Sequence, residues 1–317
     1  MTDITALGEI LIDLTQTQPD EKGIPLFAAN PGGAPANLAV AASRLGAKTA
    51  FIGKIGKDAF GDFLRKTLRE NHVDTAGLSV DEKEHTTLAV VSLDSKGERS
   101  FCFYRDPGAD GSLCWEDVPE ESLKDTKILH FGSLSLVFDD PRHATMEAVR
   151  RAKENGAWIS YDPNYRPSLW PDEETAVMRM KEPLSEVDIL KVSDEELPLL
   201  TGTDDPAEGT AILQQYGIAL IFVTQGADGA FYRFGEWTGQ VPGVACKVAD
   251  TNGSGDTFFG AALSRLVRFG SLQDLTEEEL KEIVGFANRA ASLTTSRHGA
   301  IPAMPTLDEL TDRDRMI

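Results

Sequence analysis

The sequence predicts an α/β fold, with a mostly parallel central sheet covered by helices on both faces and a small β-sheet lid attached. Three observations carry this. From residue 112 onward, short apolar runs alternate with helix-period segments, the pattern of repeated βα units around a buried parallel sheet. Two segments break the alternation: a polar excursion at 15–30 and a hairpin signal at Asp94-Ser-Lys-Gly97. Finally, Asp250-Thr-Asn-Gly-Ser-Gly-Asp256-Thr-Phe-Phe-Gly260 sets a glycine-punctuated turn between a β-rich run, Val244–Val248, and a helix. The expected division assigns 1–10, 31–85 and 112–317 to the α/β domain, and 11–30 with 86–111 to the inserted lid.

Ile4–Gly8 reads as a buried strand and Ile10–Leu14 as its continuation. Asn30-Pro-Gly-Gly-Ala-Pro-Ala-Asn37 leads into a helix with Pro35 in its first turn and Gly46 at its stop. Its alanines, Ala36, Ala39, Ala41 and Ala42, imply close packing against a neighbour. Thr49–Gly53 is the next strand, followed by a helix with Phe60, Phe63, Leu64 and Leu68 on one face. Thr86–Leu93 and Arg99–Arg105 form the lid hairpin. Further strands are expected at Ile128–Phe131, Trp158–Asp162, Asp188–Val192 and Ala219–Thr224, with helices near 141–155, 173–181, 194–201 and 206–216. Phe231–Phe234 and Val244–Val248 add a late antiparallel turn. The last helix opens with the capping box Thr276-x-x-Glu279 and ends at Gly299.

Composition narrows the function. Against 31 basic residues stand 51 acidic ones, a net charge of −20, which argues against nonspecific nucleic-acid or anionic-membrane binding. A phosphorylated ligand must then be held by local amides, a few placed cations and metal ions. Cys102, Cys114 and Cys246 are far apart, with no CxxC pair; reduced thiols and a cytoplasmic location follow, without a zinc site. The N-terminus lacks a basic leader region and reads as a strand. His72, His85 and His298 have no triad-like company.

In open parallel sheets, ligands gather at the carboxyl ends of strands. Asp13, Asp162–Arg166, Lys191–Glu196, Thr224–Gly229 and Asp250–Asp256 all fall at such ends in the order above. Amides of Gly253, Ser254 and Gly255 at a helix N-terminus make an anion site. Asp256 beside it is unfavourable unless it has work to do, such as accepting a proton from an attacking hydroxyl. The plainer alternative is a helix cap after an ordinary turn.

Three stretches, read together, resemble the ribokinase-like (phosphofructokinase-B-type) carbohydrate kinase family. They are Gly32-Gly-Ala-Pro-Ala-Asn-Leu-Ala-Val40 with Phe51-Ile-Gly-Lys-Ile-Gly-Lys-Asp-Ala-Phe-Gly61, then Val192-Ser-Asp-Glu-Glu-Leu197, and Asp250 to Gly260. Gly8-Glu-Ile-Leu-Ile-Asp13, Phe103-Tyr-Arg-Asp-Pro-Gly-Ala-Asp110, Tyr161-Asp-Pro-Asn-Tyr-Arg166 and Arg297-His-Gly-Ala-Ile-Pro302 point to its fructokinase branch. The resemblance implies a three-layer α/β domain with a β lid, and transfer of the ATP γ-phosphoryl group to a sugar primary hydroxyl, giving fructose 6-phosphate from fructose. Other acceptors within the family, such as 2-keto-3-deoxygluconate or a nucleoside, remain alternatives, as does a non-catalytic sugar sensor on the same fold. A dinucleotide-binding oxidoreductase would need a glycine-rich turn after the first strand, and Leu7-Gly8-Glu9-Ile10 has one glycine.

The resemblance also implies roles. Asp256 is the base and Gly253, Ser254 and Gly255 the anion hole. Asp13, Gly32, Gly33, Asn37, Arg105 and Arg166 meet the sugar or the transferred phosphate, suiting carboxylate, amide and guanidinium donors and acceptors. Lys191, Ser193, Thr224, Gly226, Gly229 and Asn288 fall on the nucleotide side, with Ser193 standing where the family has Asn. Glu196 holds Mg²⁺ through water. Asp250 helps bind an activating monovalent cation, K⁺, with carbonyls of the 295–300 loop. The expected partners are ATP and a small sugar, with a homodimer formed through the lid edge.

Overall fold

The computed structural model describes residues 1–93 and 99–314; the Asp94–Gly97 turn lies outside the described residues. Its strands are β1 (Thr2–Leu7), β2 (Leu11–Gln16), β3 (Phe27–Gly32), β4 (Thr49–Gly56), β5 (Val73–Asp81), β6 (Leu88–Leu93) and β7 (Arg99–Tyr104) in the first third. There follow β8 (Thr126–Gly132), β9 (Trp158–Asp162), β10 (Ile189–Ser193), β11 (Leu220–Thr224), β12 (Ala230–Phe234) and β13 (Trp237–Val241).

Nine strands form one sheet in the order β13-β12-β11-β10-β9-β8-β1-β4-β5. All neighbours are parallel except the β11–β12 and β12–β13 pairs. β3-β2-β6-β7 form a second, four-stranded sheet. Ile10–Leu14 is therefore not a continuation of the first strand. The chain leaves the large sheet at Gly8 and enters the small one at Leu11.

Helices cover both faces of the large sheet, as its continuous apolar strands require. On one face Phe222 meets Phe258 and Phe259 edge-on at 5.7 and 6.3 Å between centroids. On the other, Phe131 stacks on Tyr161 at 4.7 Å. The alanine-rich helix Ala34–Arg44 packs on helix Ser254–Leu266 so closely that a Cβ on Gly260 would lie 2.8 Å from Leu38 O.

Three strands lie where the sequence pattern was misleading. The late antiparallel partner is Trp237–Val241, not Val244–Val248, because Gly235-Glu236 closes a two-residue hairpin and Pro242 ends the strand. Val248, 64% exposed, belongs to an irregular loop. β5 is an edge strand whose register shifts where Gly77 faces Ile52, and the shift blurs its alternation. β3 carries Asn30, Pro31 and Gly32, tolerated because it too is an edge.

Candidate active site

A cavity of about 880 Å³ opens over the carboxyl ends of β1, β8, β9, β10 and β11, with Leu11, Asp13 and Phe103 of the small sheet on one wall. Chain order reverses direction across the sheet between β1 and β8, and such a switch point leaves a crevice between diverging connections.

Helix Ser254–Leu266 starts here. Gly253 adopts φ 72°, and a Cβ on it would lie 2.8 Å from that of Ala300. Glycine satisfies both the left-handed turn and the close approach. The first bond of the helical ladder runs from Thr257 N to Gly253 O at 2.8 Å, so the amides of Ser254, Gly255 and Asp256 precede it. The Ser254 amide leans on Thr251 O at 3.3 Å and is the least available to a ligand. Gly255 and Asp256 are the better donors.

Asp256 is 8% exposed. Its Oδ2 accepts from Asn37 Nδ2 at 2.8 Å and its Oδ1 from Asn164 Nδ2 at 3.1 Å. Burial raises its pKa above the ordinary carboxylate value, opposed by the Asn37 bond, Lys191, Arg166 and the Asn164 bond. Each oxygen keeps a lone pair for a hydroxyl proton. Asn164 lies in the Asp162–Arg166 stretch expected at a strand end, where the sequence assigns it no role of its own. It sits at φ 44°, a conformation asparagine tolerates better than most residues. The signal was an Asn two residues past a strand-end Asp in Asp162-Pro-Asn.

Lys191 donates to Asp162 at 2.9 and 3.2 Å. Burial alone would lower its pKa, but Asp162, Glu196 and Asp256 outweigh burial and keep it charged. Asp162 is pushed up by burial, with Glu196 and Asp256 adding to the effect and Lys191 opposing it. One cation shared between two buried carboxylates, Asp162 and Asp256, cannot hold both ionised cheaply.

Glu196 accepts from Tyr165 N at 2.7 Å and Ser193 N at 2.8 Å, while Ser193 Oγ accepts from Glu196 N at 3.1 Å. Ser193 and Glu196 thus form a reciprocal capping pair. No group of three or more His, Cys, Asp or Glu among the described residues could hold a metal by itself. That donor set fits Mg²⁺ held mostly by phosphates and water.

At the opposite end, burial raises Asp13 to about 6, with Arg166 pulling it down and Asp256 and Asp250 pushing it up. Gly32 lies directly under it, for a Cβ there would strike Asp13 Oδ2. Gly33, Asn37 and the exposed Arg166 line the cavity. Arg105 does not. Its Nε pairs with Asp110 at 2.8 Å, its Nη2 donates to Leu134 O at 3.0 Å, and its guanidinium lies 5.0 Å from the Phe138 ring centre. Hydrogen bonding and stacking hold it beneath the wall, a correction to its expected sugar contact. Glu9 lines the cavity; the Gly8–Asp13 stretch that contains it implies a role for Asp13 alone.

Thr224, Gly226, Gly229 and Asn288, expected on the nucleotide side, line the cavity with Ser254, Ser292 and the 243–246 loop. Asn288 Nδ2 donates to Val241 O and Pro242 O, both at 3.1 Å, fixing the loop to helix Glu277–Thr295. Asp250 stands behind the lining. Its Oδ1 accepts from Asn252 N at 2.9 Å and its Oδ2 from Gly299 N at 3.1 Å, tying the anion turn to the 295–300 loop.

A buried carboxylate held between two amides beside a helix start suits phosphoryl transfer to an alcohol. Residues 1–307 match the pfkB family carbohydrate kinase. The chain belongs to this family. The probable fructokinase-5 of Arabidopsis thaliana is 43% identical over 309 residues, 96% of this chain and 94% of that protein. The structure of Xylella fastidiosa fructokinase with bound ATP superposes with a TM-score of 0.91 at 35% identity, covering 100% of each chain. A double mutant of Vibrio cholerae O395 fructokinase, bound to fructose, ADP and potassium ion, gives 0.88 at 35% identity and covers 98% of each. The pfkB member described here is thus a carbohydrate kinase, and none of its described helices is long and apolar enough to cross a membrane.

Proposed function

We propose that this kinase is a fructokinase, which moves the γ-phosphoryl group of ATP to the primary hydroxyl of fructose and releases fructose 6-phosphate and ADP. The observation that carries the reading is Asp256, held between Asn37 and Asn164 where the anion turn meets the Asp13 end of the cavity.

In this mechanism Asp256 takes the hydroxyl proton as the sugar oxygen bonds to the γ-phosphorus and the bond to the bridging oxygen of ADP breaks. Amides of the Gly253–Asp256 turn and Arg166 face the charge spreading over the phosphoryl oxygens. Glu196 would hold Mg²⁺, and the ion would neutralise phosphate charge. Asp13 accepts two sugar hydroxyls. The four-stranded sheet acts as a lid that excludes water, the competing acceptor. Asp250 and the 295–300 loop would hold K⁺.

The acidic lining favours a neutral sugar over 2-keto-3-deoxygluconate. Asp13 and Asp256 line the cavity close to each other and to Arg166, and a substrate carboxylate there would meet repulsion. The exposed apolar side chains Ile24, Leu26, Phe27 and Tyr104 on or beside the small sheet support a homodimer through the lid. Unpaired cysteines and dependence on ATP support a cytoplasmic site of action. The test is ADP release with ATP and Mg²⁺ across a panel of sugars. The highest kcat/KM on fructose is expected, and a higher value on an acidic sugar or a nucleoside would overturn the assignment.

A further inference from the structure

The small sheet joins the large one through four chain crossings. They are Gly8–Ile10 between β1 and β2, Gly33 between β3 and helix Ala34–Arg44, residues 82–87 between β5 and β6, and the chain following β7. Two carboxyl groups bind these crossings in pairs. Asp110 accepts from Thr87 Oγ1 and from Arg105 Nε, uniting the later two. Glu9 unites the earlier two, because its Oε1 accepts from the amide of Ala34 at 3.0 Å.

That bond replaces a missing cap. Gly33 precedes the helix and has no side chain to satisfy its first amides. Gly33 also adopts φ 105°, where any Cβ would run into Glu9 O, so Glu9 meets this crossing through both backbone and side chain. One turn into the same helix stands Asn37, whose amide holds Asp256.

Packing alone is a poor account of Glu9. It is 4% exposed and its Oε2 has no partner, and a buried polar atom left unpaired costs stability. The charged groups acting on it are Asp110 and Arg105 of the other pair of crossings. Burial, opposed by its own backbone amide, pushes Glu9 up to about 7, so a neutral carbonyl-bearing group suits the place.

We propose that Glu9 is a positioning residue for phosphoryl transfer: by locking the Gly8–Ile10 crossing to the start of helix Ala34–Arg44, it makes the lid and the Asn37–Asp256 pair move as one. The inference rests on the kinase reading. The group needed is an acceptor for the Ala34 amide, which glutamine reproduces and methionine, similar in length, does not.

The test compares wild type, Glu9→Gln and Glu9→Met as full-length chains, measuring kcat, KM for fructose and for ATP, and ATP hydrolysis without sugar. Glu9→Gln is expected to keep kcat close to wild type. Glu9→Met should lose kcat on the order of 10²-fold, the effect of a misplacement of about 1 Å, with KM for ATP unchanged and hydrolysis rising relative to transfer. Wild-type kcat in Glu9→Met would overturn the inference. So would equal losses in both variants, or transfer and hydrolysis falling in parallel. Should Glu9→Met not fold, Glu9→Gln decides alone: retained kcat with an unchanged hydrolysis-to-transfer ratio supports the role, and a loss beyond tenfold (about 1.4 kcal/mol of barrier) overturns it. An inactive wild type on every sugar would instead refute the kinase reading.

Discussion

Asn164 donates to Oδ1 of Asp256 at 3.1 Å, opposite the 2.8 Å bond from Asn37 to Oδ2. Two neutral amides thus aim the carboxylate without neutralising it. A cation in either place would stabilise the charged form more strongly and weaken the base. Lys191, the nearby cation, is instead bonded to Asp162.

Removing the base is the plainest prediction. Asp256→Asn keeps the shape and the burial but cannot take a proton. Fructose and ATP should bind with near-normal affinity by calorimetry while kcat falls about 10²–10⁴-fold, the usual worth of a general base. Turnover close to wild type would remove Asp256 from the mechanism.

Asn164→Ala takes away one donor to the charged form of Asp256. Its pKa should rise further, moving the acidic limb of the kcat/KM profile to higher pH. A profile recorded from pH 5 to 9 reads this directly. An unmoved limb would mean that the bond does not act on the base.

Asp13, raised to about 6 by burial against the pull of Arg166, binds sugar hydroxyls best when ionised. KM for fructose should therefore climb as pH drops below about 6, while KM for ATP stays level. In Asp13→Asn, KM should be high throughout and flat over that range.

The same shift has a sign for stability. A carboxyl whose folded pKa exceeds its unfolded value binds more protons in the native state, so stability falls as pH rises between the two. For Asp13 that window runs from 3.8 to about 6, and for Glu9 from 4.5 to about 7. Asp13→Asn should melt several degrees above wild type at pH 8, with the gap closing toward pH 4. A gap independent of pH would contradict the linkage.

Gly253→Ala confronts both a positive φ and a contact 2.8 Å from Ala300 Cβ. Denaturation should show a loss of at least about 1 kcal/mol, and KM for ATP should rise because the anion turn moves. An unchanged KM would separate this turn from nucleotide binding.

Much of this molecule was legible in its sequence. Apolar runs separated by helix-period segments set out the strands from β8 to β11, because burial on both faces leaves an unmistakable composition. The Gly253–Asp256 turn announced itself through glycine spacing, and Asn37 and Arg166 through motifs. Edge strands were harder. β5 with its register shift and β3 with Pro31 lack the pattern that a doubly buried strand must have.

Local sequence determined which segments are strands and helices and where an anion could sit, since backbone conformation and periodic burial are written over short windows. Tertiary structure alone decided which side chains meet there. Asn164 reached the base, Glu9 crossed to Ala34 and Arg105 turned inward to Asp110. Such contacts depend on the order of strands and the course of four crossings, and a polar side chain's partner comes from whatever the fold brings within about 3 Å of it.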